Sequence, residues 1–239
     1  MATSTNLITA RLMKEVNPPA VVRFAHAAGI ESSLEAVPSL CLGTTDLKVL
    51  ELTGAYSTFA NAGIHIKPYF ITRIEDRYGN VLADFGGEPT EAFSPQTAYK
   101  VMELLKAVAD EGTASRLRYK YNFRNEMGGK TGTTQNHSDG WFIGVTPELV
   151  SGVWVGCSDR RMRFSSMKLG QGANMALPIW ALYMKRLYED QELKMSQERF
   201  ERPRNYYVNM NCGPIDGDES LRKTKEKKPV TSDDLDGFE

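Results

Sequence analysis

The spacing of apolar residues predicts that the first part of the chain is largely helical. Ile8, Leu12 and Val16 recur at every fourth position, which places them on one face of a helix. Asn17-Pro18-Pro19 is typical of a second helix start, since asparagine caps well and proline fits the first turn. We expect this helix to end at Gly29, because glycine readily adopts the backbone conformation that stops a helix.

A third helix and a β-hairpin are predicted next along the chain. The helix is expected from about Asp46, with Thr45 as its cap, to a stop at Gly63. Residues 69–85 alternate between apolar and polar positions and contain Gly79-Asn80, which predicts a hairpin that turns at this pair.

A further helix is predicted to begin at Ser94-Pro95 and to stop near Gly112. Its apolar positions share one stripe, which should face the core. The residues of this stripe are Val101, Leu104, Leu105 and Val108.

The pattern then changes to short strands. The segments 130–135, 140–146 and 149–156 alternate and are joined by hairpin-length turns, so we expect them to pair antiparallel. A last helix, at about 175–188, is apolar enough to cover one face of this sheet. The predicted fold class is therefore α+β, with a helical subregion, an antiparallel sheet and a C-terminal helix that covers the sheet.

Residues 191–239 differ in composition from the rest of the chain. Charged residues are frequent there and aliphatic residues are sparse, so we predict one domain at 1–190 and a charged, largely disordered tail at 191–239.

The overall composition excludes few classes of function. Apolar residues make up 41% of the 239, enough for a sizeable core, and the net charge of −1 gives no support for nucleic-acid binding. Cys41, Cys157 and Cys212 fit neither zinc nor disulfide spacing, so we predict unpaired cysteines and assign no metal or cofactor. We find no secretory signal and no apolar run of about 18 residues that could span a membrane.

The strongest chemical signal is Lys130-Thr131-Gly132-Thr133, at the start of the first predicted strand. Thr131 and Thr133 lie two residues apart, so their hydroxyls point to the same face of an extended strand. Gly132 allows a ligand to approach the backbone closely, and Lys130 supplies a cation. This set suits an extended ligand that bears a carboxylate and lies along the strand edge. The alternative is a glycine-rich strand that merely turns.

This strand and the hairpin after it, GGKTGTTQNHSDGWFIGVTPELVSGVWVG, resemble the K-T-G region of a class A penicillin-binding protein transpeptidase domain. Three other segments are similar to the family in the same order: LKVLELTGAYSTFANAGIHIKPYFITRIEDRYGNVL, LLKAVADEGTASRL and ALPIWALYMKRL. The resemblance covers about residues 4–188. It implies that the chain is the C-terminal part of such a domain, with an incomplete β-lactamase/transpeptidase-like fold.

The family's Ser-x-Asn element is matched by Ser4-Thr5-Asn6. Without the resemblance, this triplet would be interpreted as an ordinary helix N-cap. The resemblance implies that Ser4 relays protons, that the Asn6 amide holds the substrate, and that Lys130 supports Ser4 electrostatically.

The same resemblance implies a substrate-binding role for the residues after the lysine. Thr131 and Thr133 would bind the terminal carboxylate of the substrate. The backbone N–H of Thr133, directly after Gly132, would complete an oxyanion hole with the N–H of the nucleophile.

The implied reaction is peptidoglycan D,D-transpeptidation. An S-x-x-K serine attacks the D-Ala-D-Ala bond of a stem peptide, and the acyl-enzyme passes to the amine of a second stem; β-lactams mimic the D-Ala-D-Ala end. The implied location is the periplasmic face of the inner membrane, with an anchor outside this chain. The implied partners are the rest of the transpeptidase domain and an N-terminal glycosyltransferase domain.

One family element is not found where the resemblance predicts it. No S-x-x-K string precedes Ser4, and the strings at 165–168 and 220–223 follow the K-T-G element, which is the wrong order. About one such string is expected by chance in a chain of this length. We therefore expect the chain to be inactive alone, with an exposed sheet edge and a partly uncovered core.

Two other interpretations stay open from the sequence. The chain could be part of a serine β-lactamase or D,D-carboxypeptidase, or it could be a non-catalytic module that holds peptidoglycan stems. Three weaker expectations concern the region around the cleft: Gly112-Thr113-Ala114 lines the cleft wall, Asp139 caps a turn, and His137 is a solvent-exposed turn residue.

Overall fold

The computed structural model describes residues 1–204 and 206, in which groups of helices are separated by groups of strands. The helices are α1 (Asn6–Val16), α2 (Pro18–Ala27), α3 (Val49–Ala60), α4 (Pro95–Asp110), α5 (Arg116–Tyr119), α6 (Met167–Gly170) and α7 (Gly172–Glu189). The strands are β1 (Ile64–Ile66), β2 (Arg73–Glu75), β3 (Val81–Asp84), β4 (Pro89–Glu91), β5 (Gly128–Thr133), β6 (Asp139–Val145) and β7 (Val150–Gly156). Short 3-10 helices occupy Pro38–Leu42 and Gln135–His137.

A three-stranded antiparallel sheet lies at the centre of the fold, in the order β5–β6–β7. Each strand lies within two residues of its predicted bounds, and Lys130 is paired with Ile143 on β6. The predicted hairpin forms as β2 and β3, and β1 pairs with β4 in a second two-stranded sheet that the sequence did not predict. The α+β prediction is confirmed.

Helix α7 covers one face of the sheet, as predicted. Gly144 on β6 makes this contact possible, because a Cβ there would lie 2.2 Å from Cε2 of Trp180. The Trp180 ring is fully buried, and its Nε1 donates a hydrogen bond of 2.7 Å to Ser151 Oγ on β7. Phe142 packs edge-on against the same ring, with the ring centroids 5.2 Å apart.

Helices α3 and α4 cover the opposite face. Gly152 on β7 lies against α3, where a Cβ would come within 2.2 Å of Thr53 Oγ1. Gly128 on β5 lies against α4, where a Cβ would come within 2.9 Å of Leu105 Cβ. The sheet is therefore the middle of three layers, and the strand that carries Lys130 is held against a helix on this side.

Helices α1 and α2 form where the sequence predicts them. The Asn17 side chain accepts a hydrogen bond of 3.0 Å from Ala20 N, as expected for a cap, and Gly29 has a φ of 112°. The α1 stripe of Ile8, Leu12 and Val16, however, is exposed, and the buried residue of that helix is Met13.

Two other helix predictions differ from the structure in detail. Helix α3 begins at Val49, and its N-cap position is Lys48 rather than Thr45. In α4, Leu105 and Val108 of the predicted stripe are buried, but Leu104 is exposed and Met102 is buried, because the helix contacts both the sheet and α3.

Residues 191–204 of the predicted tail contain no helix or strand. Phe200 is nevertheless buried beside Met102, Leu105 and Val145, and its N–H donates a hydrogen bond of 2.9 Å to Glu126 Oε2. Residues 205 and 207–239 lie outside the described residues, so disorder there stays a prediction.

Cys41 and Cys157 form no disulfide in the described part of the chain, whereas Cys212 lies outside it. Within that same part, no helix combines the length and the hydropathy needed to cross a membrane.

Candidate active site

The loop before α1 directs Ser4 towards β5. Thr5, not Ser4, occupies the N-cap position of α1, and no side chain caps this helix. Ser4 has a φ of 51°, which is uncommon for a residue with a side chain. Its Oγ accepts a hydrogen bond of 2.5 Å from Lys130 Nζ, across 126 positions of sequence. The N-cap interpretation of Ser4 therefore does not describe this structure.

Lys130 lies between Ser4 and its own strand. Its Nζ also donates a hydrogen bond of 2.8 Å to Thr131 O. Burial lowers the pKa of the Lys130 ammonium, because the charged form loses hydration. In the part of the chain that the structure describes, Lys130 forms no ion pair with a carboxylate, so its charge is not neutralised by a side chain.

Thr131 and Thr133 are both held by hydrogen bonds. The Oγ1 of Thr131 lies 2.7 Å from Thr113 Oγ1, and the Oγ1 of Thr133 accepts a hydrogen bond of 3.0 Å from Gly172 N. At Gly172, where α7 begins, a Cβ would lie 2.2 Å from Gly132 O. Only glycine allows α7 to start this close to the strand.

Thr113 connects strand β5 to the loop that carries Ser4. It follows α4, and its N–H donates a hydrogen bond of 3.1 Å to Ala2 O in the loop that carries Ser4. At Gly112 a Cβ would lie 2.4 Å from the same carbonyl oxygen, so the loop packs directly on this connection. The sequence suggested only a cleft wall here and missed the hydrogen bond to Thr131.

Asn6 is placed differently from the other predicted site residues. It is the first residue of α1 and is exposed, and its side chain forms no hydrogen bond with any described residue. The structure thus joins Ser4, Lys130 and Thr131 through hydrogen bonds and does not include Asn6 in that network.

The turn between β5 and β6 corrects two expectations. Thr134, not Asp139, organises this turn: its Oγ1 accepts a hydrogen bond of 3.1 Å from Asp139 N and lies 3.0 Å from Ser138 Oγ. Asp139 is buried, and its Oδ1 has no hydrogen-bond partner among the described residues.

His137 is also more enclosed than predicted. Phe164 N donates a hydrogen bond of 3.2 Å to its carbonyl, and Gly170 lies so close that a Cβ would be 2.4 Å from the His137 Cβ. The segment before α7 therefore covers this residue, a contact between distant positions that local sequence does not reveal.

Chemically, the cluster offers a set of hydrogen-bond donors beside a cation. Lys130 contributes an ammonium of lowered pKa, and two threonine hydroxyls lie on the neighbouring face of the strand. Such a set favours an acceptor-only, negatively charged group, such as a carboxylate.

Comparison with known proteins agrees with this arrangement. The family model described as the penicillin binding protein transpeptidase domain matches residues 2–156. Penicillin-binding protein 1A of Aquifex aeolicus is 36% identical over 215 residues, which are 88% of this chain and 28% of that protein. Penicillin-binding protein 1A of Neisseria meningitidis is 30% identical over 191 residues, which are 77% of this chain and 23% of that protein.

Solved structures show the same fold. Penicillin-binding protein 1A from Haemophilus influenzae superposes with a TM-score of 0.74 at 22% identity, covering 85% of this chain and 35% of that one. The PonA1 protein from Mycobacterium tuberculosis, in complex with penicillin V, gives a TM-score of 0.69 at 25% identity and covers 86% and 59%.

The chain spans about a quarter of the length of the curated relatives that it matches. The predicted class A resemblance is confirmed by these relatives. With the family match over residues 2–156 and the hydrogen-bonded Ser4–Lys130 cluster, the chain belongs to the penicillin-binding protein transpeptidase family.

Proposed function

We propose that this chain supplies the proton-relay and carboxylate-binding part of a peptidoglycan D,D-transpeptidase site. One observation carries the proposal: the unneutralised Lys130 ammonium joins Ser4 Oγ to the strand that bears Thr131 and Thr133. The substrate would be a peptidoglycan stem that ends in D-Ala-D-Ala. Its terminal carboxylate would accept hydrogen bonds from Thr131 and Thr133, within the field of Lys130.

The direction of the Ser4–Lys130 hydrogen bond supports a proton-relay role for Ser4. An ammonium can only donate, so Ser4 Oγ is the acceptor and its own hydrogen is free to donate. In the proposed reaction the nucleophilic serine bonds to the carbonyl carbon and the C–N bond to the last D-Ala breaks; Ser4 passes its hydrogen to the leaving amine and regains the proton that the nucleophilic serine has lost. Lys130 stabilises the negative charge that Ser4 gains in that step.

In this proposal, Gly132 and Thr133 form part of the oxyanion hole that binds the carbonyl oxygen of the scissile bond. The N–H of Thr133 would donate to the oxyanion, together with the N–H of the nucleophile. Removal of one such donor in a serine hydrolase typically costs about 3 kcal/mol in the transition state. Asn6, exposed at the start of α1, would hold the substrate backbone through its amide.

The nucleophile of the proposed reaction is an S-x-x-K serine that the printed sequence does not carry before Ser4. We propose that the polypeptide bearing it, the rest of the transpeptidase domain, packs on the apolar surfaces that this chain exposes. Helix α1 exposes Leu7 and Leu12, and α7 exposes Ile179 and Leu182. The outer edge of β7 also pairs with no strand among the described residues.

The relatives support a proposal about the wider context of the chain. We propose an extracytoplasmic location and an N-terminal glycosyltransferase domain in the same protein, as the class A resemblance implies. We also propose that the site binds β-lactams, since PonA1, whose fold is similar, has been solved in complex with penicillin V.

Labelling with a fluorescent penicillin tests the proposed function. We expect the 239-residue chain to form no covalent adduct by itself, because no serine in it precedes Ser4 in an S-x-x-K string. If the coding DNA upstream of Met1 contains such a string in frame, the extended protein should be labelled once, on that serine. Intact-mass and peptide mass spectrometry locate the adduct.

Labelling together with titration of a D-Ala-D-Ala peptide separates a transpeptidase from a non-catalytic module. A stoichiometric adduct on Ser4, Ser165 or Ser220 of the printed chain would contradict the proposal. Reversible binding of a D-Ala-D-Ala peptide without acylation of the extended protein would instead favour a non-catalytic stem-binding module.

A further inference from the structure

Thr113 lies outside the Ser-x-Asn and K-T-G elements, yet its side chain reaches the candidate site. Its Oγ1 lies 2.7 Å from Thr131 Oγ1, and no other side chain among the described residues forms a hydrogen bond with the Thr131 hydroxyl. We infer that Thr113 is a positioning residue, which orients the Thr131 hydroxyl so that its hydrogen points to the ligand's carboxylate. This inference rests on the proposed function.

The inference follows from counting hydrogens in the bond between the two hydroxyls. Each threonine hydroxyl has one hydrogen, and one of the two must lie between the oxygens. A carboxylate can only accept, so a bound carboxylate requires that Thr131 give its hydrogen to the ligand. Thr113 must then donate to Thr131, which produces the chain Thr113 to Thr131 to carboxylate. Hydrogen bonds aligned in this way strengthen one another.

Thr133 is oriented in the same sense by a different group. The N–H of Gly172 can only donate, so Thr133 Oγ1 is the acceptor and the Thr133 hydrogen is free for the ligand. The two hydroxyls therefore form a pair of donors, one supported by a side chain and the other by the backbone at the start of α7. Only the first support can be removed by replacing a side chain.

The position of Thr113 is fixed by the backbone around it. Its N–H donates to Ala2 O at 3.1 Å, and the N–H of the next residue, Ala114, donates to Val108 O at 3.0 Å. Ala114 itself is fully buried. Because the backbone is held on both sides, we expect the Thr113 hydroxyl to keep this position when a ligand binds, which is the condition for pre-organised donors.

The orientation of the Thr131 hydroxyl makes the site selective for a C-terminal carboxylate over a carboxamide. A carboxylate offers an acceptor oxygen to each threonine, whereas a carboxamide offers one acceptor and one NH₂ donor. The NH₂ of an amide would face a hydroxyl that is already oriented as a donor. Thr113 thus helps the site to prefer a peptide with a free C-terminal carboxylate over its amide.

The test compares two N-acetylated D-Ala-D-Ala peptides, one with a C-terminal carboxylate and one with a carboxamide. Calorimetric titration of the 239-residue chain gives both affinities, and NMR locates the perturbed amides. We expect the wild type to prefer the carboxylate by at least about tenfold, and Thr113→Val to lose about tenfold in carboxylate affinity with little change for the amide. Thr113→Ser, which keeps the hydroxyl, should restore the preference.

Two controls separate positioning from folding. Thr90→Val, on the exposed strand β4, should leave both affinities unchanged. Thr113→Ala is a second variant that also lacks the hydroxyl, and it must lose the preference as well, with thermal unfolding used to confirm a folded sample. If the wild type binds neither peptide, the proposed function fails. If the wild type prefers the carboxylate and the folded Val or Ala variant keeps that preference, the role of Thr113 is wrong while the proposed function stands.

Discussion

Lys130→Met is expected to remove most of the affinity for a D-Ala-D-Ala carboxylate and yet to leave the fold at least as stable. The ammonium is the only cation in the cluster formed with Ser4, Thr131 and Thr133 among the described residues. Hydrogen bonds and attractions to a charged group contribute about 2 kcal/mol in such sites, so we expect affinity to fall by at least about 30-fold. Methionine keeps the length and apolar stem of the side chain.

Lys130→Met is expected to lower affinity without lowering the free energy of unfolding, because Lys130 is buried. Burial lowers its pKa in the folded chain below the value of about 10.4 in the unfolded chain. Between these two values the unfolded state binds more protons, so the free energy of unfolding of the wild type rises with pH in that window. Below the lowered pKa the desolvation cost is constant. Methionine removes this cost, and we expect the free energy of unfolding at pH 7 to be unchanged or raised by about 1 kcal/mol.

Urea unfolding at pH 7 and at a series of alkaline pH values, together with peptide titration, measures both effects. Lys100→Met, at an exposed position on α4, is the matched control and should change neither property. The Lys130 variant should lack the rise of stability that the wild type shows in the alkaline window. Unchanged affinity in the Lys130 variant, or a stability loss of several kcal/mol at pH 7, would contradict the assigned role.

Trp180→Ala is expected to have the largest effect on stability. The Trp180 ring is fully buried between α7 and the sheet, contacts Phe142 and Phe123, and donates to Ser151 Oγ. Removing it leaves a large cavity and an unpaired hydroxyl, for which we expect a loss of about 3–5 kcal/mol. Such a loss is a large fraction of the stability of a typical domain.

Tyr183→Ala is the matched control for this helix. Tyr183 lies on α7 only three residues further on, but 46% of its surface is exposed. We expect its replacement to change the free energy of unfolding by less than about 1 kcal/mol. Equal losses in the two variants, measured by urea unfolding, would show that α7 does not pack on the sheet through Trp180.

The central sheet could be predicted from the sequence because each of its strands carries a local signal. Alternation along 140–146 and 149–156 and the turn residues between them specify a hairpin without reference to distant residues. The cap at Asn17 and the stop at Gly29 are local in the same way, and both occur in the structure.

The exposed stripe of α1 is a feature that local sequence patterns did not predict. Ile8, Leu12 and Val16 have the spacing of a buried face, and their helix forms as predicted, but the described residues do not cover that face. Periodicity indicates which face of a helix is apolar and not what lies against it.

In the candidate site, too, the contacts between neighbouring residues could be predicted from the sequence, whereas the contacts between distant residues could not. Lys130, Thr131 and Thr133 are adjacent in sequence, so alternation alone places the two hydroxyls on one face. Thr113 approaches Thr131 from the end of another helix, and Gly172 approaches Thr133 from the start of α7. These contacts depend on tertiary packing, and a single threonine or glycine gives no sequence signal for them.

The central proposal is that the cluster of Lys130, Thr131 and Thr133 recognises the end of the peptidoglycan stem. A crystal structure of the 239-residue chain with a D-Ala-D-Ala peptide that has a free C-terminal carboxylate tests it most directly. We expect the carboxylate oxygens within hydrogen-bond distance of Thr131 Oγ1 and Thr133 Oγ1, with Lys130 Nζ still bonded to Ser4 Oγ. The scissile carbonyl should point to the N–H of Thr133. A peptide bound elsewhere, or one whose carboxylate faces solvent away from β5, would contradict the proposal that this cluster recognises the end of the peptidoglycan stem.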